Sequence, residues 1–267
     1  MVTRKIFISS AVTDCAYERD YLLKNLHNLD TPYVRFVPQL SEHPETFNFS
    51  AHNLRNSLSE DVCLDNVKKC NYYVLLIKND YKCSDKYGCS ITELEYRKAK
   101  EKNKEIFVFI LKNAENETED TKAFKERVSG ERWRFEIERI EEAIGILKDI
   151  ILKFNRSDLL DETIPDGSVL KRGTTFQKKW VLENAGNVVW EGYRLKLETP
   201  NDTLMPNITS IDMPMVVPGE TYELEITHTC KFTGRGKCVW KMYDKNDNIV
   251  FPNYLGIWAD VIIKREL

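Results

Sequence analysis

Over the first half of the chain, short apolar runs alternate with segments whose apolar residues recur at helical spacing. Continuous apolar strands separated by helices are typical of a parallel sheet that is covered on both faces. Five such strands favour a flavodoxin-like, doubly wound α/β fold, with the last run at an edge of the sheet. The predicted strands are "KIFIS" (5–9), "YVRFV" (33–37), "YYVLLI" (72–77), "EIFVFIL" (105–111) and "WRFEI" (133–137).

From about Ile164 onward the pattern changes to short strand-like runs separated by turn signals such as "PDG", "ENAGN" and "TGRGK". About seven strands in about a hundred residues are typical of an immunoglobulin-like all-β sandwich. The polar stretch "NRSDLLDETIP" (155–165), which joins the two patterns, ends in proline, as linkers often do. We therefore predict an α/β domain over residues 1–155, a linker over 156–163 and a β-sandwich over 164–267.

Composition narrows the possible partners. The chain carries a net charge of −3 and no block of Lys and Arg, so we expect neither nucleic acid nor a membrane surface as a partner. The start of the chain does not read as a signal peptide, and no apolar run has the roughly 18 residues that a membrane span requires. We therefore expect a cytoplasmic protein.

The seven cysteines have irregular spacing, which predicts reduced thiols and no metal site. Cys230 and Cys238 flank a turn, and one alternative is that they face each other across a hairpin.

In a doubly wound sheet, ligands bind beyond the carboxyl ends of the strands. Ser9 and Ser10 end the first strand, and their hydroxyl and N–H groups could bind phosphate or ribose, or could serve only as turn residues. Tyr81 and Tyr87 follow the third strand and could stack on a nicotinamide or adenine ring. Thr13 or Asp14 is the predicted N-cap of the first helix.

The stretches "IFISSAVTDCAYERDYL", "VKKCNYYVLLIKNDYKCSDKYGCSITELEYRKA" and "KEIFVFIL" resemble the TIR-like family. This family is found at the N-terminus of some NACHT-type ATPases and in many bacterial defence proteins. The resemblance covers most of residues 1–111 and becomes loose from 112 to 154. It implies the same flavodoxin-like sheet.

TIR domains that cleave NAD carry one glutamate on the helix after the third strand, followed four positions later by a small residue. Glu95, with Ala99 four positions on, matches that pattern and is the expected catalytic residue; Glu93, with Arg97 at the corresponding place, is the alternative. Nucleoside deoxyribosyltransferases share the spacing, with Thr92 at the matching threonine. The substrate-binding residues expected on these grounds are Ser9, Ser10, Tyr81, Tyr87, Ser90 and Thr92.

The expected reaction is cleavage of the N-glycosidic bond of NAD, or its conversion to a signalling nucleotide, in bacterial antiviral defence. NAD would be the substrate, and no resident cofactor is expected. A fixed carboxylate stabilises the oxocarbenium-like transition state, and nicotinamide leaves without a general acid. Two alternatives remain: a non-catalytic TIR adaptor that signals by assembly, and a nucleoside deoxyribosyltransferase-like enzyme.

The second half resembles the four-tryptophan, immunoglobulin-like domain of selective-autophagy receptors and of assorted bacterial proteins. Its namesake residues correspond to Trp180, Trp190, Trp240 and Trp258. We expect Trp180 and Trp240 in the core and Trp190 partly exposed. The resemblance implies a domain that binds a protein trigger or promotes self-association, which would activate the first domain.

Overall fold

The computed structural model describes residues 1–12, 14–40, 63–84, 86–112 and 117–266. Residues 1–150 and 151–267 form two separate compact units. No helix in the described ranges is long and apolar enough to cross a membrane.

The first unit alternates strands and helices. Its strands are β1 (Val2–Ser9), β2 (Val34–Leu40), β3 (Tyr72–Ile77), β4 (Cys83–Ser84), β5 (Cys89–Ser90), β6 (Glu105–Leu111) and β7 (Trp133–Ile137). Its helices are α1 (Ala16–Asn25), α2 (residues 63–69), α3 (Ile91–Glu101), α4 (Glu119–Arg127) and α5 (Glu141–Ile151), and a 3₁₀ turn spans Leu26–Leu29.

Five strands of this unit form one sheet in the order β2-β1-β3-β6-β7, and every neighbouring pair is parallel. This confirms the predicted flavodoxin-like order, with β7 at the edge. The bounds of β3, β6 and β7 coincide with the predicted runs, whereas β1 begins three residues earlier, at Val2. All six residues of β3 are buried, as expected for a strand covered on both faces.

Helix α3 has a well-defined start and end. The Ser90 hydroxyl is its N-cap and accepts a 3.1 Å hydrogen bond from the Glu93 backbone N–H. After the last turn, Asn103 adopts a φ of 49°, the left-handed conformation that commonly ends helices. Together these signals fix the register of the helix, so that Glu93, Glu95 and Ala99 are buried.

Helix α1 begins differently from the prediction. Its N-cap position is Cys15, which makes no side-chain cap hydrogen bond, and Thr13 lies outside the described residues. The Asp14 carboxylate instead accepts hydrogen bonds from the backbone N–H groups of Asn79 and Asp80, at 2.7 and 2.8 Å. Asp14 therefore ties the start of α1 to the loop after β3.

The second unit is a sandwich of two sheets. Its strands are β8 (Ser157–Glu162), β9 (Ser168–Lys171), β10 (Thr175–Asn184), β11 (Arg194–Thr199), β12 (Leu204–Pro206), β13 (Ser210–Asp212), β14 (Thr221–Cys230), β15 (Gly234–Tyr243) and β16 (Ile257–Lys264). The strand orders are β12-β14-β10-β8 and β13-β11-β15-β16-β9. The sequence places 156–163 in a linker, but β8 forms an edge strand that pairs with β10, because its acidic and exposed residues suit the edge of a sheet.

Side chains of both sheets meet in one apolar core that contains Trp180, Trp190 and Trp240, all fully buried. The expectation that Trp190 is partly exposed is wrong, because its backbone pairs with Val216 and its ring packs into the core. Cys230 and Cys238 are free thiols; they do not face each other across a hairpin, because β14 and β15 belong to different sheets.

Candidate functional site

The end of β1 meets helix α3 through one buried hydrogen bond. The Ser9 hydroxyl donates to Glu95 Oε2 at 2.5 Å. Ser9 is fully buried and Glu95 is 2% exposed. β1 and β3 are neighbours, with Ser9 beside Leu75 in the register. The chain order reverses at these central strands, and in such folds ligands bind in the crevice at the carboxyl ends of the strands.

Tyr73 of β3 adjoins this pair and is a residue that the sequence reasoning missed. It is fully buried, and its ring stacks on Phe7 with centroids 5.8 Å apart. Burial first, and then the charge of Glu95, raise the pKa of Tyr73 well above its ordinary value, although a hydrogen bond with Ser9 acts in the opposite direction. Tyr73 therefore stays protonated beside the carboxylate.

Glu93 lies in a different environment, between two arginines and a tyrosine. Arg97 donates to its Oε1 at 2.7 and 3.1 Å, Arg127 donates to its Oε2 at 2.7 Å, and the Tyr81 hydroxyl also donates to Oε2. Burial opposes ionisation, but the hydrogen bonds from Tyr81, Arg127 and Arg97 outweigh it and lower the pKa of Glu93. This cluster neutralises Glu93 and joins α3 to α4.

Tyr81 and Tyr87, the tyrosines predicted to stack on the substrate, pack against other residues. The Tyr81 ring packs on Phe124, with centroids 5.6 Å apart, and its hydroxyl donates a hydrogen bond to Glu93. Tyr87 lies in the turn between β4 and β5, with the Lys86 ammonium 4.6 Å from its ring centroid. The structure thus gives Tyr81 a packing contact and places Tyr87 on the two-stranded hairpin before α3.

The two polar residues at the start of α3 have local roles. Ser90 caps the helix, as described above, and is 5% exposed. The Thr92 carbonyl accepts a 3.5 Å hydrogen bond from the Tyr73 hydroxyl. Both residues therefore help to hold the helix turn that carries Glu95 against β3.

Ser10, which follows β1, and the start of α1 lie at the same end of the sheet. Arg19 donates to the Ser10 hydroxyl at 3.2 Å. Lys78, which follows β3, donates to Glu18 Oε1 at 3.0 Å. Burial lowers the pKa of Lys78, but its hydrogen bond and charge interaction with Glu18 outweigh burial and raise it. Lys78 therefore stays protonated and forms an ion pair with Glu18 at this end of the sheet.

Sequence reasoning brought Ser9 and Glu95 into the same site but left the supporting residues unassigned. Arg127 comes from α4, distant in sequence, and no local motif points to it. The Glu18–Lys78 pair joins positions 60 apart. For Tyr73 a signal existed, since a tyrosine within a fully apolar strand needs a partner for its hydroxyl.

The fold and this site define a two-domain protein, an α/β doubly wound domain followed by an immunoglobulin-like sandwich. Residues 5–164 match a family described as a domain of unknown function (DUF4062), and because that match covers more than half of the chain, the protein belongs to this family. Residues 163–263 match the Ig-like domain from next to BRCA1 gene. The comparison with curated proteins gave no match.

Similar solved structures share low identity with the chain. A CARDB domain from Pyrococcus furiosus is 18% identical with a TM-score of 0.30, over 41% of this chain and 97% of that one. A conserved protein from Enterococcus faecalis V583 is 11% identical with a TM-score of 0.37, over 55% and 99%. E. coli alpha-2-macroglobulin is 13% identical with a TM-score of 0.29, over 41% of this chain and only 6% of that chain. At these TM-scores the likenesses bear on neither fold nor function.

Proposed function

We propose that the first unit is a TIR-like NAD glycohydrolase in which Glu95 is the catalytic carboxylate. The observation that carries the proposal is the buried Ser9–Glu95 hydrogen bond at the crevice where β1 and β3 end. Two residues 86 positions apart, each expected from sequence to contact NAD, meet there. Glu93 is the weaker candidate, because two arginines and Tyr81 already neutralise it.

Cleavage of the N-glycosidic bond of NAD requires little besides a correctly positioned carboxylate. The bond between C1′ of the ribose and the nicotinamide nitrogen breaks, its electron pair goes to the nicotinamide, and C1′ becomes oxocarbenium-like. A carboxylate stabilises that positive charge most strongly where water is excluded. Water then adds to C1′ and loses a proton to solvent, which gives ADP-ribose.

Glu95 is almost completely buried, and this supports activation by assembly. NAD reaches the carboxylate only when the rim formed by the residues after β1 and β3 moves. We propose that contacts made by the second unit, a four-tryptophan type of sandwich, promote self-association or bind a protein trigger and so cause that movement. The setting that suits such a protein is bacterial antiviral defence.

The test is NAD consumption by the purified full chain at high concentration with a crowding agent. Chromatography measures nicotinamide and ADP-ribose, and light scattering records assembly. Glu95→Gln is expected to abolish nicotinamide release. Glu101→Gln, which changes an exposed glutamate on the same helix, is expected to leave it unchanged. Assembled wild-type protein that leaves NAD intact, or a Glu95→Gln variant with the wild-type rate, would contradict the proposal.

A second candidate is a non-catalytic adaptor, which the burial of Glu95 and its hydrogen bond to Ser9 also favour. In that case Glu95 only joins α3 to β1. Assembly with no loss of NAD, combined with loss of stability in Glu95→Gln, would support it. Exchange of bases between deoxynucleosides would instead support a deoxyribosyltransferase.

A further inference from the structure

The two outer faces of the sandwich in the second unit carry opposite charge. Side chains alternate along each strand, and those that do not enter the core point to solvent. The outer side of the sheet that contains β11 and β15 is the basic face, with Arg194, Lys196, Arg235, Lys237 and Lys241. The outer side of the sheet that contains β8, β10 and β14 is the acidic face, with Asp158, Asp161, Glu183, Glu223 and Glu225.

The basic face holds a surplus of positive charge. Arg194, Lys196 and Arg235 each pair with a carboxylate. Lys237 and Lys241 form no ion pair among the described residues, and Lys241 stands directly opposite Lys196 in the register. Like charges directly opposite each other destabilise a sheet. The lysines of β15 are therefore better explained by a partner with negative charge than by the stability of the sheet itself.

The acidic face has the opposite surplus. Lys179 of β10 lies between Glu223 and Glu225 of β14, at 2.9 and 3.1 Å, so one cation serves two carboxylates. Glu183 and Asp161 form no ion pair within the part of the chain that the structure describes. Negative charge therefore remains on this face after the local ion pairs are taken into account.

On the acidic face the surplus charge surrounds an apolar position. Val181 of β10 is partly buried, with Glu223 opposite it on β14 and Asp161 opposite it on β8. Because adjacent strands lie about 4.8 Å apart, the backbones of these two acids are about 10 Å from each other across the valine. An apolar centre with a charged border is the usual arrangement of a protein interface.

The basic face has a matching arrangement around Val239 of β15. Val239 lies directly opposite Trp258 of β16, and these two side chains form the apolar centre. Lys237 and Lys241 flank Val239 on the same side of the strand, about 13 Å apart. The Lys237 ammonium lies 4.6 Å from the centroid of the Trp258 ring. The two faces are therefore complementary in charge and similar in the width of their apolar centres.

We infer that the basic face of one copy docks on the acidic face of a second copy, with Val239 and Trp258 against Val181. The two faces lie on opposite sides of the sandwich, so they cannot meet within one unit, and every copy offers both. Such a contact is heterologous and leaves a face free at each end, so it extends into a row of copies. This inference rests on the self-association proposed above, to which it assigns a surface, and it requires no NAD chemistry.

The test is charge reversal on each face of the full chain, followed by sedimentation velocity. Lys237→Glu with Lys241→Glu makes the surplus negative on both faces, and Glu223→Lys with Glu225→Lys makes it positive on both. Each double variant is expected to self-associate at least about tenfold more weakly than wild type at low salt. An equimolar mixture of the two is expected to associate again, because each negative face then meets a positive one.

The control is Lys231→Glu with Lys245→Glu, which makes the same change in net charge at exposed positions outside both faces and is expected to associate like wild type. An increase in salt from about 0.05 M to about 0.5 M is expected to weaken wild-type association, because the Debye length falls. Circular dichroism and thermal unfolding establish that the variants fold. The single changes Lys241→Glu and Glu223→Lys replace any double variant that does not.

Wild-type protein that stays monomeric at low salt, or face variants that associate as wild type does, would overturn the inference. A mixture of the two double variants that associates no better than either alone would also overturn it. Monomeric wild-type protein that binds heparin would assign the basic face to a polyanion instead. NAD loss is measured separately, so assembly with intact NAD supports this inference and contradicts only the glycohydrolase.

Discussion

The Ser9 hydroxyl donates a 2.5 Å hydrogen bond to the Glu95 carboxylate, and both side chains are buried. This contact joins the carboxyl end of β1 to the first half of α3. It orients one carboxylate oxygen and places the group where doubly wound folds bind their ligands. The position of Glu95 is therefore set by a strand end as well as by its own helix.

Removal of that hydrogen bond should reduce activity more than stability. Ser9→Ala is expected to lower NAD consumption at least about tenfold, because a carboxylate that shifts by a fraction of an ångström stabilises the developing charge less well. The measurement is the initial rate of nicotinamide release at fixed assembly state. Ser210→Ala, an exposed serine of the second unit, is the control and should have the wild-type rate. An unchanged rate in Ser9→Ala would remove Ser9 from the site.

The Glu93 cluster should stabilise the first unit in a pH-dependent way. The folded-state pKa of Glu93 is lowered, so its contribution is fully present above the ordinary value of 4.5 and disappears as the pH falls through the lower folded value. Glu93→Gln is expected to lose about 1.5 kcal/mol of unfolding free energy at pH 7, measured with urea. The difference from wild type should shrink toward acid pH.

The control for that series is Glu126→Gln on α4, where the glutamate is exposed. Its effect should stay below about 0.5 kcal/mol at every pH. A Glu93→Gln deficit that persists unchanged at acid pH would show that packing, and not the ion pairs with Arg97 and Arg127, stabilises the cluster.

Asn184 should be important for the fold of the sandwich. Its amide donates to the carbonyls of Val188 and Val216 at 2.8 and 2.9 Å, and its oxygen accepts from the Gly186 N–H at 3.2 Å. Asn184→Ala removes these three hydrogen bonds and is expected to cost about 3 kcal/mol, measured as a lower melting temperature of the second unit. Asn248→Ala, at an exposed turn, should lower the melting temperature much less. Equal decreases for the two variants would contradict this role of Asn184.

Gly256 should be intolerant of any side chain. Its φ is +97°, and an added Cβ would lie 2.2 Å from the Trp240 carbonyl oxygen. Gly234 also has a positive φ, of 129°, but open space surrounds its Cβ position. Gly256→Ala is therefore expected to destabilise the sandwich by at least about 2 kcal/mol more than Gly234→Ala. Thermal unfolding of the two variants side by side measures the difference, and similar melting temperatures would refute it.

Much of the first unit was predictable because its strands carry a strong local signal. Strands β3 and β6 have the predicted bounds, since a parallel strand buried on both faces reads as an unbroken apolar run. Edge strand β7 also has the predicted bounds, because its apolar residues alternate with Arg134 and Glu136. The N-terminal half of β1, Val2–Arg4, was missed because it alternates in character and pairs with β2 only through the tertiary fold. Edge strand β8 was missed because its acids read as a linker.

The amino-acid sequence by itself determined the two-domain order, the alternation of strands and helices in the first unit and the helix that carries Glu95. These features depend on periodicity and on local caps, which act between near neighbours in the chain. Only the tertiary structure decided that Ser9 donates to Glu95, that Arg127 neutralises Glu93 and that Trp240 lacks a hydrogen-bond partner among the described residues. Each of these depends on contacts between distant segments, whose geometry follows from how whole sheets and helices pack.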